Sequence, residues 1–140
     1  CCHSLPYSFV GIQTLELATR FNPIYWNTAC LIVNSGSLNE DENDSTNYAK
    51  LAKALGDIKS AGIQLSLADI NKSEFGFIPD AENNSILFGL KAMDKIGTDV
   101  VNEIIENRPY NNFFDFLNKT HLKKPAIISL IKGGAFDKFD

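Results

Sequence analysis

The chain has 140 residues, 44% of them hydrophobic and 21% charged, enough for one ordinary core or two small ones; this excludes wholesale disorder. A net charge of −4 argues against wrapping nucleic acid through bulk positive charge, and the longest apolar runs fall well short of the roughly 20 residues that a membrane span needs. The charge is uneven: residues 1–90 carry five basic against ten acidic side chains, residues 91–140 eight against seven, so a polyanion is expected to meet the C-terminal part.

No basic-then-apolar signal segment opens the sequence, and three cysteines, two of them adjacent, make a poor disulfide framework. Free thiols in a reducing, cytoplasmic setting and no membrane are therefore expected. Cys1, Cys2 and His3 do not read as a metal site, because neighbouring side chains point apart and no second Cys/His pair lies at zinc-ligand spacing. The sequence opens without a methionine, and its last periodic segment ends on Gly133-Gly134-Ala135-Phe136 as if cut short, so a fragment is expected.

In chain order, Phe9, Ile12, Leu15, Leu17 and Ala18 recur at helical spacing until Asn22-Pro23, where a second helix begins with Pro23 in its first turn. Phe9, Phe21 and Trp26 are expected in the core. The second helix stops at Asn34-Ser35-Gly36, and the acidic, polar residues 37–47 read as a loop. Tyr48, Leu51, Ala52, Leu55 and Ile58 mark a third helix, with Ser45 or Thr46 as N-cap and Gly62 as its stop.

After Gly62 the period changes. Ile63, Leu65 and Leu67 alternate with polar residues as in a short strand, and residues 75–78 and 85–88 flank a polar turn as a β-hairpin. Helices are then expected from Gly89 to about Met93 and over residues 98–106, 113–117 and 124–132. The fold class is mainly α with a small β-hairpin element.

Leu90, Met93, Ile96, Val101, Ile104 and Ile105 would pack two helices across a short turn, with Gly97 bending the backbone. The first amides of the second helix then face outward, and with the positive end of the helix dipole they favour an anion such as phosphate. This is the pattern of the helix-hairpin-helix DNA-binding motif, whose loop reads hydrophobic-Gly-hydrophobic-Gly. Here Lys95 replaces the first glycine, which costs about 1 kcal/mol where the backbone is left-handed, while a lysine there can add a charge contact. Residues 130–137 look like the entrance to a second such hairpin.

Several segments together resemble one region of the bacterial-type replicative DNA polymerase III alpha subunits, the C-family polymerases, nearly end to end. Cys2-His-Ser-Leu-Pro-Tyr7 resembles the family's Ser-His-Ala-x-Ala-Tyr motif, with cysteine in place of serine, and Phe21-Asn-Pro-Ile-Tyr-Trp26 resembles His-Tyr-Pro-x-x-Phe. Ala68-Asp-Ile-Asn-Lys-Ser73 resembles Pro-Asp-Ile-Asn-x-Ser, Leu87-Phe-Gly-Leu-Lys-Ala-Met93 resembles Arg-Phe-Gly-Leu-x-Ala-Ile, and Ile131-Lys-Gly-Gly-Ala-Phe-Asp137 resembles Ile-x-x-Gly-Ala-Phe-Asp. Each is weak alone; their shared order and spacing carry the likeness.

The resemblance implies a helical fingers fragment over residues 1–68 and a small β element with a helix-hairpin-helix module over residues 69–140. It implies incoming-nucleotide contacts by His3 and Tyr7. Duplex contacts are implied for Lys95, Ile96, Gly97, Thr98, Asp99, Lys132, Gly133 and Gly134. The partners implied are primer-template DNA, a dNTP in the parent enzyme and other replisome subunits. The nucleotidyltransferase palm with its magnesium ions lies upstream in the family, so no catalytic residue and no cofactor are expected within these residues. The competing expectation is a helical protein-interaction module whose hairpins are purely structural. A free-standing hydrolase or transferase ranks last for want of a nucleophile and base.

Overall fold

Proline, asparagine and glycine punctuate the helices where the sequence places them. The computed structural model describes residues 3–36 and 48–139. Helix α1 (Ser4–Thr19) runs to a turn at which Asn22 accepts the Ile24 N–H (3.1 Å) and caps α2 (Pro23–Ser35). Gly36, with φ of 70°, closes α2 in the left-handed conformation. Helix α3 (Tyr48–Ser60) ends at Gly62, φ 75°, where the Ile63 N–H reaches back to the Ile58 carbonyl (3.2 Å). Ile58 and Ile63 are both buried, the apolar contact that accompanies such a stop. The loop read over residues 37–47 and the N-cap at Ser45 or Thr46 lie outside the described residues.

The sheet has the order β1-β3-β2, from β1 (Gln64–Ser66), β2 (Ile78–Asp80) and β3 (Ser85–Leu87). β2 pairs antiparallel with β3, as a hairpin should, while β1 joins β3 in parallel with Leu65 opposite Ile86. The second strand lies later than residues 75–78, because the backbone there is used elsewhere. Leu90 and Lys91 donate to the carbonyls of Glu74 (2.9 Å) and Phe75 (3.1 Å). Gly89 crosses so close that a Cβ on it would lie 2.5 Å from the Gly76 carbonyl carbon. Pro79 is accommodated because β2 is an edge strand.

The helix expected from Gly89 to Met93 is a single 3-10 turn, Leu90–Ala92, for the same reason: the crossing with residues 74–76 occupies its first amides. Helices α4 (Thr98–Glu106), α5 (Phe113–Lys119) and α6 (Lys124–Lys132) follow.

These elements bury two apolar clusters. One joins Ile24 and Leu31 of α2 and Leu51 and Ile58 of α3 to Phe77, Ile86 and Ala92. The other gathers Ala68, Ile70, Leu90, Ile96, Val101, Ile104, Phe116 and Leu130 around the hairpin. Phe88 packs against both.

Helix α1 departs from expectation. Phe9 and Phe21 are 58% and 61% exposed rather than core, and Trp26 is half-buried. Leu5, Val10, Ile12, Leu15 and Leu17 are exposed as well, since α1 is apolar around much of its circumference and packing on α2 covers only part of it.

Candidate nucleic-acid interface

The hairpin is built from its buried side inward. Leu90, Met93, Ile96, Val101 and Ile104 are all buried and Ile105 packs against them, which fixes the 3-10 turn against α4. Between them the chain reverses through Ile96, whose N–H reaches the Met93 carbonyl (3.4 Å). The residue in the left-handed region is Lys95, φ 63°, so the position that has glycine in the motif does require that conformation and a lysine adopts it. Gly97 does not make the bend. Its φ of −81° and ψ of 172° are ordinary extended values, and a Cβ placed on it would have no neighbour within 4 Å. What the missing side chain leaves is open space beside the start of α4.

The ladder of α4 starts with the Val101 N–H bonded to the Gly97 carbonyl (3.1 Å), so the amides of Thr98, Asp99 and Val100 precede it. No side chain of the capping residue covers them. Lys95, Gly97 and Asp99 are exposed and Thr98 is half-buried, whereas the Ile96 side chain lies in the core and has only its backbone to offer a ligand. Lys91 braces the turn by donating to Thr98 Oγ1 (2.9 Å), and Ser129 of α6 braces it from the other side by donating to the Asp94 carbonyl.

The glycine pair after α6 is a helix stop. Gly134 has φ of 71°, Ala135 donates to the Leu130 carbonyl (3.1 Å), and the amides of Gly133 and Gly134 are bonded to Ser129 (2.9 Å) and Ile131 (3.1 Å). Gly133 also seats the Met93 side chain, whose Cε would lie 2.7 Å from an added Cβ. Lys132 is exposed, and with Lys95 it rims a groove of about 670 Å³ floored by Leu65, Leu67 and Met93. His3 and Tyr7 lie at the start of α1, His3 as its capping residue and Tyr7 one turn later. Both are exposed, and the Tyr7 N–H approaches the His3 carbonyl at 3.4 Å. Cys2, the altered residue of their motif, is outside the described residues.

A second constellation was legible only as a family likeness. Residues 69–73 form a knot that holds the hairpin module together. Ser73 donates to the Phe88 carbonyl (2.8 Å) and accepts the Asp69 N–H (3.0 Å), while the Ile70 N–H reaches the Ala135 carbonyl (3.0 Å). The Asn71 amide makes a reciprocal pair with the backbone of Tyr110, 2.9 Å each way. Arg108 donates to the Ile70 carbonyl (2.8 Å) and to that of Ser73, and burial lowers its guanidinium pKa from the ordinary value. Burial also pushes Tyr110 up to about 12, with its hydroxyl donating to Ile104 (2.8 Å). At Asp69 burial works upward, but the bond from Lys138 (3.0 Å) and the Asn71 N–H (2.9 Å) prevail and hold the carboxyl below its usual range.

The described carboxylates stand apart from one another or in ion pairs. Among the described residues no three His, Cys, Asp or Glu side chains stand together, and Asp69, Asp115 and Glu16 are paired with Lys138, Lys119 and Arg20. No described helix is long and apolar enough to cross a membrane.

Comparison with known proteins agrees with this geometry. Residues 62–140 match the helix-hairpin-helix motif family. The chain is 52% identical over 147 aligned residues to the probable DNA polymerase YorL of Bacillus subtilis strain 168 and, to the same extent, to a DNA-directed DNA polymerase of Bacillus phage SPbeta. Each alignment covers 98% of this chain and 11% of the relative. The DNA polymerase III subunit alpha of the same Bacillus strain is 30% identical over 143 residues, covering 98% of this chain and 12% of that protein. The chain thus spans about a tenth of the length of these relatives. It belongs to the helix-hairpin-helix family and is homologous, over almost its whole length, to one region of the DNA polymerase III alpha subunits.

Proposed function

We propose that the chain is the fingers-to-hairpin region of a replicative DNA polymerase and that its hairpin turn grips duplex DNA through phosphates, without reading base sequence. The observation that carries this reading is the open space at Gly97 beside the uncovered first amides of α4. A phosphate oxygen can approach that backbone without meeting a side chain, and the helix dipole favours its charge. Lys95, Thr98 and the backbone of Ile96 line the approach, and Lys132 stands on its second flank, while Gly133 and Gly134, their amides bonded within the fold, serve to end α6. Contacts of this kind position the duplex and carry no base code.

In the intact polymerase His3 donates to the triphosphate of an incoming dNTP and Tyr7 presents its ring to the base; their exposure one turn apart supports the assignment. Magnesium and the transfer chemistry belong to a palm outside this region. Residues 1–68 act as part of the fingers and residues 69–140 as the duplex grip, in a cytoplasmic enzyme that also meets other replisome subunits.

Gly97→Val tests the turn. Valine suits the extended backbone and its Cβ meets no neighbour within 4 Å, so the fold should survive, while duplex affinity should fall equally for unrelated base sequences. The readout is salt-titrated binding by the intact polymerase, with circular dichroism as the check on folding; a folded variant of unchanged affinity would reduce the turn to a structural element. Tyr7→Ala should raise the apparent KM for nucleotide and leave duplex affinity in place. The opposite pattern would remove Tyr7 from the nucleotide site.

A second reading, a protein-interaction module with structural hairpins, is favoured by the exposed apolar side chains of α1. Salt-dependent, sequence-independent DNA binding separates the two, because counterion release accompanies phosphate contacts and not apolar docking.

A further inference from the structure

The lysines of the hairpin module fall into two groups. Lys91, Lys119 and Lys138 are engaged within the fold, on Thr98, on Asp115 and on Asp69. The ammonium groups of Lys95, Lys123, Lys124 and Lys132 have no hydrogen-bond or ion-pair partner among the described residues.

The free lysines converge on the turn. Lys95 lines both the groove of about 670 Å³, shared with Lys124 and Lys132, and a second cavity of about 420 Å³, shared with Lys123 and Asp99. Pro125 lines both as well, so the start of α6 stands directly beside the turn, where the bond from Ser129 to the Asp94 carbonyl holds it.

Lys123 and Lys124 occupy the capping and first positions of α6, and no acidic residue follows in its first turn. Cations there meet the positive end of the helix dipole, an arrangement that an isolated helix disfavours and a bound anion relieves. The carboxylates nearby are Asp94, Asp99 and Glu103, and Glu103 is taken up by the His121 N–H (2.5 Å). Four unpaired ammonium groups therefore stand beside three carboxylates, a local excess of positive charge.

We propose, resting on the reading of the turn as a duplex contact, that the phosphate backbone gripped at Gly97 continues past Lys95 onto Lys123 and Lys124. The start of α6 is then a second phosphate contact on the same DNA backbone. Two added ion pairs should raise the salt dependence of binding without adding base preference, since each phosphate neutralised contributes about 0.9 to the slope of log K against log salt.

The test is a salt titration of duplex binding by the intact polymerase, read by fluorescence anisotropy of a labelled primer-template. Lys123→Gln/Lys124→Gln should lower the slope by nearly two, equally for unrelated sequences. Lys53→Gln/Lys59→Gln, two exposed lysines on α3, should leave it unchanged. An unchanged slope for the α6 pair while Gly97→Val still weakens binding would overturn this path and leave the turn standing. Unchanged binding in both would overturn the path and the turn together. An equal fall for the α3 pair would ascribe the effect to bulk charge and overturn the path.

Discussion

At Lys95 two requirements meet at one position. Its left-handed backbone suits glycine, which has no Cβ to crowd the carbonyl, and a side chain there costs roughly 1 kcal/mol. Its ammonium group is free and stands between the turn and α6. Lys95→Gly should therefore separate stability from binding. The unfolding free energy should hold or rise, by at most about 1 kcal/mol, because relieved strain is partly offset by the freer unfolded chain. The slope of duplex binding against salt should fall by about one. A drop in stability with no change in slope would mean that the lysine supports the turn and touches no phosphate. The sequence disclosed that Lys95 replaces a motif glycine. It did not disclose that the backbone keeps the glycine conformation, nor that Gly97 is extended, because both depend on how the chain enters from the 3-10 turn. Lys123 and Lys124 were equally hidden. They lie far from the turn in sequence, and only the packing of α6 brings them to it.

Among the elements, local signals held where a cap decided the outcome and failed where a distant segment did. Asn22-Pro23, Gly36 and Gly62 bound their helices as read, and α4 and α6 cover the expected residues. β2 and the 3-10 turn were misplaced because residues 74–76 and 89–91 cross each other, a contact that no local period reports. The knot at residues 69–73 has the same character, since its partners lie near residues 88, 108–110 and 135–138. Asp69 makes that knot pH-sensitive. Its folded pKa is depressed, so its stabilisation is complete above the unfolded carboxyl value of about 3.9 and is lost as pH falls through the lower, folded value. Asp69→Asn should cost about 1 kcal/mol at neutral pH, a modest sum because Lys138 is 64% exposed. The gap between variant and wild type, followed by urea denaturation, should close as the pH drops below the carboxylate range. A gap that stays constant would assign the cost to packing and not to charge.

For the molecule as a whole, the two apolar clusters meet at Phe88. Its ring lies edge-on to Phe77 at 4.9 Å in one cluster, and its carbonyl holds Ser73 in the knot that organises the other. The helical pair α2 and α3 rests on the sheet, the hairpin module rests on the segment that leaves the sheet, and Phe88 begins that segment. Phe88→Ala should leave the backbone bonds of residue 88 in place and remove the ring shared by both clusters, at a cost of about 3 kcal/mol. Trp26 is the chain's only tryptophan and sits on α2, the helix that carries Ile24 and Leu31 of the first cluster, so its fluorescence follows the unfolding of that helix while far-UV circular dichroism follows all the helices. In the wild-type chain the two urea transitions should coincide, as expected of clusters that unfold together. In Phe88→Ala they should separate, because each cluster keeps its own contacts and loses the shared one. Coincident transitions in the variant would show that the cooperativity runs through the backbone crossing at Gly76 and Gly89, not through the ring.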